Sequence, residues 1–408
     1  MKYCLIGEKL GHSYSSFIHN RMGVEYSLQA FPVSDLPNFV ESRKFNGFNV
    51  TIPYKKGIIP YLDGVSQEAK KIGAVNTVIN QNGKLYGFNT DYFGLAYALK
   101  KADIILKNKN VIILGSGGAS LTAQTVCLDQ KAKSVTVVSR TGQVNYDNVY
   151  DKTNTQVVIN CTPVGMFPNC DESVIDLSKF PLLEGAFDLI YNPLRTKFIL
   201  QAESLGIKVG NGLRMLVAQA VKSEEIWQNK KFSDSDIENL YKELLREKLN
   251  VVLIGMACCG KSTIGKSLAN KLGKNYVDTD EEIFNTFGKT PQDIILEQGE
   301  SDFRQKEREV VKNVAKLGNC VISTGGGACL NNANVVDLKM NGIMVLINRN
   351  LDLLNCENRP ISKTEGIKEL YARRKSVYEN AKDFTVENNS TVSDAVESVE
   401  KIYENFSN

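Results

Sequence analysis

Gly255-Met256-Ala257-Cys258-Cys259-Gly260-Lys261-Ser262-Thr263 spells G-x-x-x-x-G-K-[ST] directly after the apolar run 251–254 and ahead of a helical pattern. A strand, a glycine turn and a helix in that order cradle phosphate. Backbone N–H groups wrap the β-phosphate, the lysine reaches the phosphates being separated, and the first hydroxyl holds Mg²⁺. The chemistry is phosphoryl transfer, with Lys261 on the phosphates of a bound nucleotide and Ser262 on the metal.

A second glycine turn, Gly115-Ser116-Gly117-Gly118-Ala119, follows the strand-like run 111–114. Glycines there allow a tight turn and let the backbone approach a pyrophosphate at a helix N-terminus. The next strand-like run, 134–138, ends in Ser139-Arg140-Thr141. A site for NAD carries an acidic residue near that point for the ribose hydroxyls. An arginine suits the 2′-phosphate of NADP instead, although one at a strand end also reads as an ordinary solvated side chain. Upstream, polar residues gather in short segments: Ser13 and Ser15 in GHSYSS, Asn49, Thr51 and Lys55 in NVTIPYK, Asn76 and Thr77 in GAVNT, and Asp91 in FNTDYF. Each has a plain structural alternative, and for Asp91 it is the N-cap of the helical pattern that begins at Tyr92.

The elements that must position these residues follow from the pattern of the chain. Its 408 residues call for two or three folded units. Two strand–glycine turn–helix starts far apart predict two α/β nucleotide sites. Residues 233–248 carry apolar positions at helical spacing on a charged background, with Ser233 or Asp234 as cap, so a domain boundary is expected near Lys248. With 42% hydrophobic and 23% charged residues and a net charge of +3, the composition is that of a globular protein without a nucleic-acid surface. No run reaches the roughly 18 apolar residues of a membrane span. The opening MKYCLIGEKL is too short and too soon charged for a signal peptide. Nine scattered cysteines predict free thiols in a cytoplasm, and two histidines exclude a histidine-rich metal site.

Taken together, the segments of the first half resemble the shikimate dehydrogenase family over about residues 1–248. The motifs stand in family order: the Ser13/Ser15 loop, NVTIPYK, GAVNT, NTDYFG, then NCTPVGM from Asn160, DLIYNP from Asp188 and GLRMLVAQA from Gly212. The resemblance implies a substrate-binding domain over 1–100, completed by helices within 212–248, and a Rossmann-like NADP-binding domain over 101–211. It implies that Lys55 and Asp91 form the catalytic pair that reduces 3-dehydroshikimate to shikimate. Lys55 would serve as acid/base on the carbonyl oxygen, and Asp91 would hold the lysine and a ring hydroxyl. Ser13 and Ser15 would bind the carboxylate with help from Tyr191, and Thr51, Asn76 and Gln219 would hold ring hydroxyls. NADP would lie on Gly115–Ala119 and against Ser139, Arg140 and Thr141. Met215 would pack near the nicotinamide, or simply in the core. Ser16 stands where the family has proline, and Gly142-Gln143-Val144 where a second basic residue is common. The stretch 141–155 is short, which predicts a reduced helix there.

The second half resembles the shikimate kinase family over about residues 250–390. The motifs are the phosphate loop, Asp278-Thr279-Asp280, GESDFR with Glu307, Gly325-Gly326-Gly327, Asn358-Arg359-Pro360, and Arg374 ahead of Tyr378. The implied fold is a parallel sheet between helices over 249–408. Asp278 would serve the Mg²⁺ shell beside Ser262, and Asp280 would take the proton of the ring hydroxyl. Arg304, oriented by Glu307, and Arg374 would clamp the carboxylate, Gly325–Gly327 would let the backbone approach the ring, and Arg359 would close from a lid. Cys258 stands where such kinases have glycine. At positive φ a cysteine costs about 1 kcal/mol. Cys258 and Cys259 read as small fillers or as a redox-sensitive pair. The lid, 355–364, looks short and lacks a second upstream arginine. The two halves agree with each other, since the first makes the C3 hydroxyl that the second phosphorylates. Two other readings are a non-catalytic binding module in one half, and an NAD-using quinate/shikimate dehydrogenase.

Overall fold

The computed structural model describes residues 3–10, 13–354 and 366–407. Arg359 and the whole of the expected lid, 355–364, lie outside them. The chain divides into two compact units, Met1–Asn192 with Thr196–Tyr241, and Pro193–Arg195 with Lys242–Asn408. The division falls inside the helix Asp234–Lys248, a few residues before Lys248. Ser233 caps that helix, accepting from the Asp236 N–H while its own N–H donates to the Asp236 carboxylate.

In the first unit, strands β1 (Tyr3–Gly7), β2 (Tyr26–Ala30), β3 (Gly47–Val50), β4 (Gly64–Val65), β5 (Thr77–Gln81) and β6 (Lys84–Phe88) form a mixed sheet of order β2-β1-β3-β5-β6-β4. Asn82 and Gly83 both take positive φ in the two-residue turn joining β5 to β6, the geometry that matches strand twist. Phe39, Phe45, Phe48 and Tyr54 pack one face of this sheet. The helix Thr90–Lys101 leaves its edge, capped by the Asn89 side chain on the Tyr92 N–H. The cap is therefore Asn89, and Asp91 lies inside the first turn, which frees its carboxylate.

The same unit holds a second, all-parallel sheet: β7 (Asn110–Leu114), β8 (Ser134–Val138), β9 (Val157–Asn160), β10 (Gly185–Asp188) and β11 (Lys208–Asn211), in the order β11-β10-β9-β7-β8. Its apolar residues are buried by helices on both faces, as parallel strands require. Between β8 and β9 only a single 3₁₀ turn, Val149–Asp151, stands in place of a crossover helix. The helix Gly212–Gln228 returns from this sheet to the first one.

The second unit is built on one parallel sheet of β12 (Asn250–Ile254), β13 (Asn275–Asp278), β14 (Cys320–Ser323), β15 (Gly342–Asn348) and β16 (Phe384–Glu387), ordered β13-β14-β12-β15-β16. Central strands β12 and β14 are buried throughout. Among the described residues no helix is long and apolar enough to cross a membrane.

Gly212 shows how tightly the returning helix is seated. A Cβ there would lie 1.9 Å from the Leu189 carbonyl oxygen. Backbone cannot yield as a side-chain tip can, so Gly212→Ala should destabilise the first unit by about 1–3 kcal/mol or more. A lowered melting transition for this unit, with that of the second unit unchanged, is the expected result.

Candidate active sites

The first site is a cleft of about 300 Å³ between the two sheets of the first unit. It is lined by Ser13, Ser15, Thr51, Lys55, Asn76, Asp91, Tyr191, Met215 and Gln219, all named from the sequence, and by Ala119 of the glycine turn. Lys55 sits on the short helix Tyr54–Gly57, and its Nζ lies 2.7 Å from Asp91 Oδ2, with both side chains largely covered. Ser13 Oγ donates to Ser15 Oγ and accepts from the Ser15 N–H, which gathers two hydroxyls at one end of the cleft. Tyr191 packs edge-on to Tyr14, and burial raises its phenol, keeping it a neutral hydrogen-bonding group.

Gly115 has φ +97, and Gly117 caps the helix Gly118–Asp129 with no side chain on its free N–H groups. No atom lies within 4 Å of a Cβ built on Gly117 or Gly118. Open space at an uncapped helix start fits a pyrophosphate. Ser139 and Gly142 close a turn after β8, leaving Arg140 and Thr141 exposed beyond it.

Beneath the Leu189–Tyr191 wall lies Asp188, fully buried. Asn160 Nδ2, the Ile190 N–H and Thr196 Oγ1 all donate to its carboxylate, tying the loops after β9 and β10 to the next helix. Burial nonetheless pushes its carboxyl up to about 7.

In the second unit the glycine turn again opens a helix, Lys261–Leu272, whose cap Gly260 offers no side chain. Lys261 is buried, and its Nζ donates to the carbonyls of Gly255 and Met256. Ser262 Oγ donates to Asp278 Oδ2 at 2.8 Å, and Asp278 Oδ1 caps the helix Thr279–Phe287 on the Asp280 N–H. A hydroxyl and a carboxylate side by side suit Mg²⁺, which takes few protein ligands and keeps water and phosphate oxygens. Cys258 has φ 64 and is exposed, whereas Cys259 is buried, 3.7 Å from Lys261 Nζ. Thr263 lies in the first turn of the same helix.

Beside this loop opens a cavity of about 660 Å³ lined by Asp280, Arg304, Glu307, Gly325–Gly327 and Arg374. Arg304 donates to Glu307 Oε2 at 2.8 Å and to Glu300, while the buried Arg374 donates to the Gly326 carbonyl. Burial raises the Glu307 carboxyl, and the Arg304 charge opposes that shift. The glycines are explained by protein neighbours. A Cβ on Gly325 would meet Asp280 at 2.8 Å, one on Gly326 the Ala257 nitrogen at 2.9 Å, and one on Gly327 the Arg304 guanidinium at 2.4 Å. The apolar wall of Phe284, Pro291, Ile295, Phe303 and Leu370 went unread in the sequence, where these residues look like ordinary helix positions. So did Ser223, one helical turn beyond Gln219, a spacing that could have flagged it.

These two sites define the class: a dehydrogenase with a dinucleotide turn beside a lysine–aspartate cleft, joined to a kinase with a phosphate loop. The model of the shikimate dehydrogenase substrate binding domain matches residues 5–78, and that of shikimate kinase matches residues 257–406. Shikimate dehydrogenase (NADP(+)) from Clostridium perfringens (strain SM101 / Type A) is 39% identical over 262 residues, 59% of this chain and 97% of that protein. Its counterpart from Clostridium beijerinckii is 38% identical over 260 residues, with 59% and 96% covered. Among solved structures, a chorismate mutase/shikimate 5-dehydrogenase fusion protein from Clostridium acetobutylicum matches with a TM-score of 0.57 and 39% identity, covering 60% of this chain and 96% of that one. Shikimate 5-dehydrogenase from Thermus thermophilus, in complex with NADP(H) and shikimate, matches with 0.54 and 31%, covering 60% and 99%. The chain belongs to the shikimate dehydrogenase family and carries a shikimate kinase domain after it.

Two outcomes follow from these geometries. A raised carboxyl keeps a proton when folded that the unfolded chain releases, so the stability linked to Asp188 is complete below its ordinary value of 3.8 and falls as pH rises to about 7. Asp188→Asn, which cannot ionise, should gain on the wild type in melting temperature across that window, and a difference independent of pH would contradict this. At Cys258, relief of left-handed strain and the entropy of glycine nearly cancel, so Cys258→Gly should leave stability within about 1 kcal/mol. Cys258→Val should lower it by about 1–2 kcal/mol in thermal denaturation.

Proposed function

We propose that the 2.7 Å Lys55–Asp91 pair and the Lys261–Asp278–Asp280 cluster are the two catalytic centres of this chain. The protein is a bifunctional enzyme. It reduces 3-dehydroshikimate to shikimate with NADPH and phosphorylates shikimate with ATP to shikimate 3-phosphate, two consecutive steps toward aromatic amino acids. A binding-only role for either half and an NAD-dependent quinate activity are not favoured. The units are a substrate domain over 1–100 with helices from 212–248, a cofactor domain over 101–211 and a kinase over 249–408.

When bound, NADPH supplies a hydride in the first unit, and ATP with Mg²⁺ a phosphoryl group in the second. As hydride reaches the C3 carbonyl carbon, the C=O π pair moves onto oxygen, and Lys55 Nζ gives that oxygen its proton. Asp91 keeps the ammonium in line and accepts from a ring hydroxyl. Ser13 and Ser15 donate to the substrate carboxylate with Tyr191, while Thr51, Asn76 and Gln219 hold the ring. Gly115 through Ala119 cradle the pyrophosphate, Ser139, Arg140 and Thr141 receive the 2′-phosphate, and Met215 covers the nicotinamide. In the kinase, Asp280 takes the proton of the C3 hydroxyl as its oxygen bonds to phosphorus and the bond to ADP breaks. Gly255, Cys258, Cys259, Gly260 and Thr263 shape the loop around the phosphates, with Lys261 on their charge. Ser262 and Asp278 would hold Mg²⁺. Arg304 and Arg374 bind the carboxylate; Arg359, outside the described residues, would by the family resemblance stabilise charge on the transferred group.

The two sites are separable by substitution. Lys55→Ala should lower NADPH oxidation with 3-dehydroshikimate at least 100-fold and leave phosphorylation of added shikimate intact. Lys261→Ala and Asp280→Asn should do the reverse. Both activities are read in one tube by NADPH absorbance and by mass spectrometry of shikimate 3-phosphate. Loss of both activities from a single folded variant would contradict two independent centres.

A further inference from the structure

Behind the Asn76–Gln219 wall of the dehydrogenase cleft lies a buried cluster of hydrogen-bonding side chains, of which only Asn76 has been given a role. Tyr26, Asn49, Asn76, Thr77, Thr90 and Ser223 are each less than a tenth exposed. They come from β2, β3, β5 and its approach, and two helices.

Several of its hydrogen bonds have a fixed direction. Burial raises the Tyr26 phenol well above its ordinary value, so it remains a donor, and it donates to Asn49 Oδ1 at 2.7 Å. Asn49 Nδ2 then faces the Asn76 carbonyl, Thr77 Oγ1 and Ser223 Oγ, all within 3.2 Å. The carbonyl can only accept, so this amide cannot be turned round. Ser223 Oγ donates to the Gln219 carbonyl one turn back along its own helix at 3.0 Å. Its lone pairs are then taken by Asn49 Nδ2 and by the Thr77 hydroxyl at 2.9 Å. The Thr90 hydroxyl, which accepts from Asn76 Nδ2, has Asn76 Oδ1 at 3.2 Å and Gln219 Oε1 at 3.3 Å to donate to. Asn76 Oδ1 is held by the Thr90 N–H at 2.7 Å. Asn76 Oδ1 is thus engaged behind the cleft and Gln219 Oε1 lies within reach of the Thr90 hydroxyl; with one N–H of Asn76 on Thr90 and one of Gln219 on the Leu216 carbonyl, each amide keeps one N–H for the cleft. Thr90 immediately precedes Asp91, so the same bonds set the helix start that carries the catalytic carboxylate.

We infer that Ser223 is a positioning residue of the dehydrogenase: its hydroxyl sets the direction of this buried network, so that Asn76 and Gln219 present N–H donors to the substrate ring and Asp91 stays in line with Lys55. The inference rests on the assignment of this cleft to shikimate and 3-dehydroshikimate. Removing the hydroxyl leaves that Asn49 N–H only Thr77 Oγ1 to donate to and turns the Thr77 hydrogen toward Thr90 or Asn76, which re-aims the donors without touching the cofactor turn.

The test is steady-state oxidation of shikimate by NADP⁺ in the full-length protein. Turnover by the wild type tests the cleft assignment, and only the ratio of variant to wild type tests Ser223. Ser223→Ala should raise the KM for shikimate about tenfold, the worth of one buried hydrogen bond. The KM for NADP⁺ and the kinase rate should hold. With shikimate analogues lacking the C4 or the C5 hydroxyl, at least one should lose most of that tenfold difference, because the donor in question no longer has a partner. Thr77→Ser, which keeps its hydroxyl, should behave as wild type. If Ser223→Ala does not fold, Thr77→Val reads the same network and should give the same split. An unchanged KM for shikimate, equal rises in both KM values, or an undiminished effect with both analogues would overturn the proposal.

Discussion

Around the Lys55–Asp91 pair, every buried hydrogen-bonding group has to find a partner, because an unpaired one costs about 1–3 kcal/mol. That requirement shapes the dehydrogenase unit. Asn89 takes the capping role, which leaves Asp91 free to face Lys55. Asn76, Thr77 and Thr90 pair among themselves and with Ser223, joining a strand, a helix start and the returning helix behind one wall. One residue further on, Glu224 meets His19 Nδ1 at 2.5 Å, both side chains wholly buried, and holds the same helix to the segment that follows Ser15. Polar contacts thus hold the strands and the returning helix behind the cleft, with His19 Nε2 left without a partner among the described residues.

A second constraint repeats in both units. A helix start leaves backbone N–H groups without partners, and side chains usually cap them. Asn89, Thr196, Asn211, Asp278 and Thr290 do so elsewhere in this chain. At Gly117 and Gly260 no side chain does, as at Gly299 and Gly366, and the first two helix starts are the ones that face phosphate in the proposed sites. The glycine triplet of the kinase follows a different rule. Its missing Cβ atoms make room for Asp280, Glu307 and Arg304, so carboxylates and guanidinium crowd against bare backbone at the cavity wall. Cys258 holds a left-handed conformation that glycine would hold without strain.

Much of the fold and of both sites is legible in the residues themselves. The order of the motifs, the two glycine turns and the residues that line each cleft are local patterns. A strand, a turn and a helix are specified by near neighbours, so a stretch such as Gly255–Thr263 carries its geometry with it. The α/β class and the pairing of a dehydrogenase with a kinase are readable for the same reason. What only the tertiary structure decided are contacts between residues far apart in sequence. Asp91 reads equally as a helix cap until Asn89 is seen to occupy that place. Ser223 and Asn49 are 174 positions apart, and nothing in either segment announces their bond. Tyr26, Asp188 and the apolar wall around Phe284 have ordinary compositions and acquire a role only through what folding sets against them. Side-chain type and spacing determine which chemistry is available, whereas burial and direction of hydrogen bonding depend on the whole fold, because both are set by neighbours that the chain brings together only when it closes.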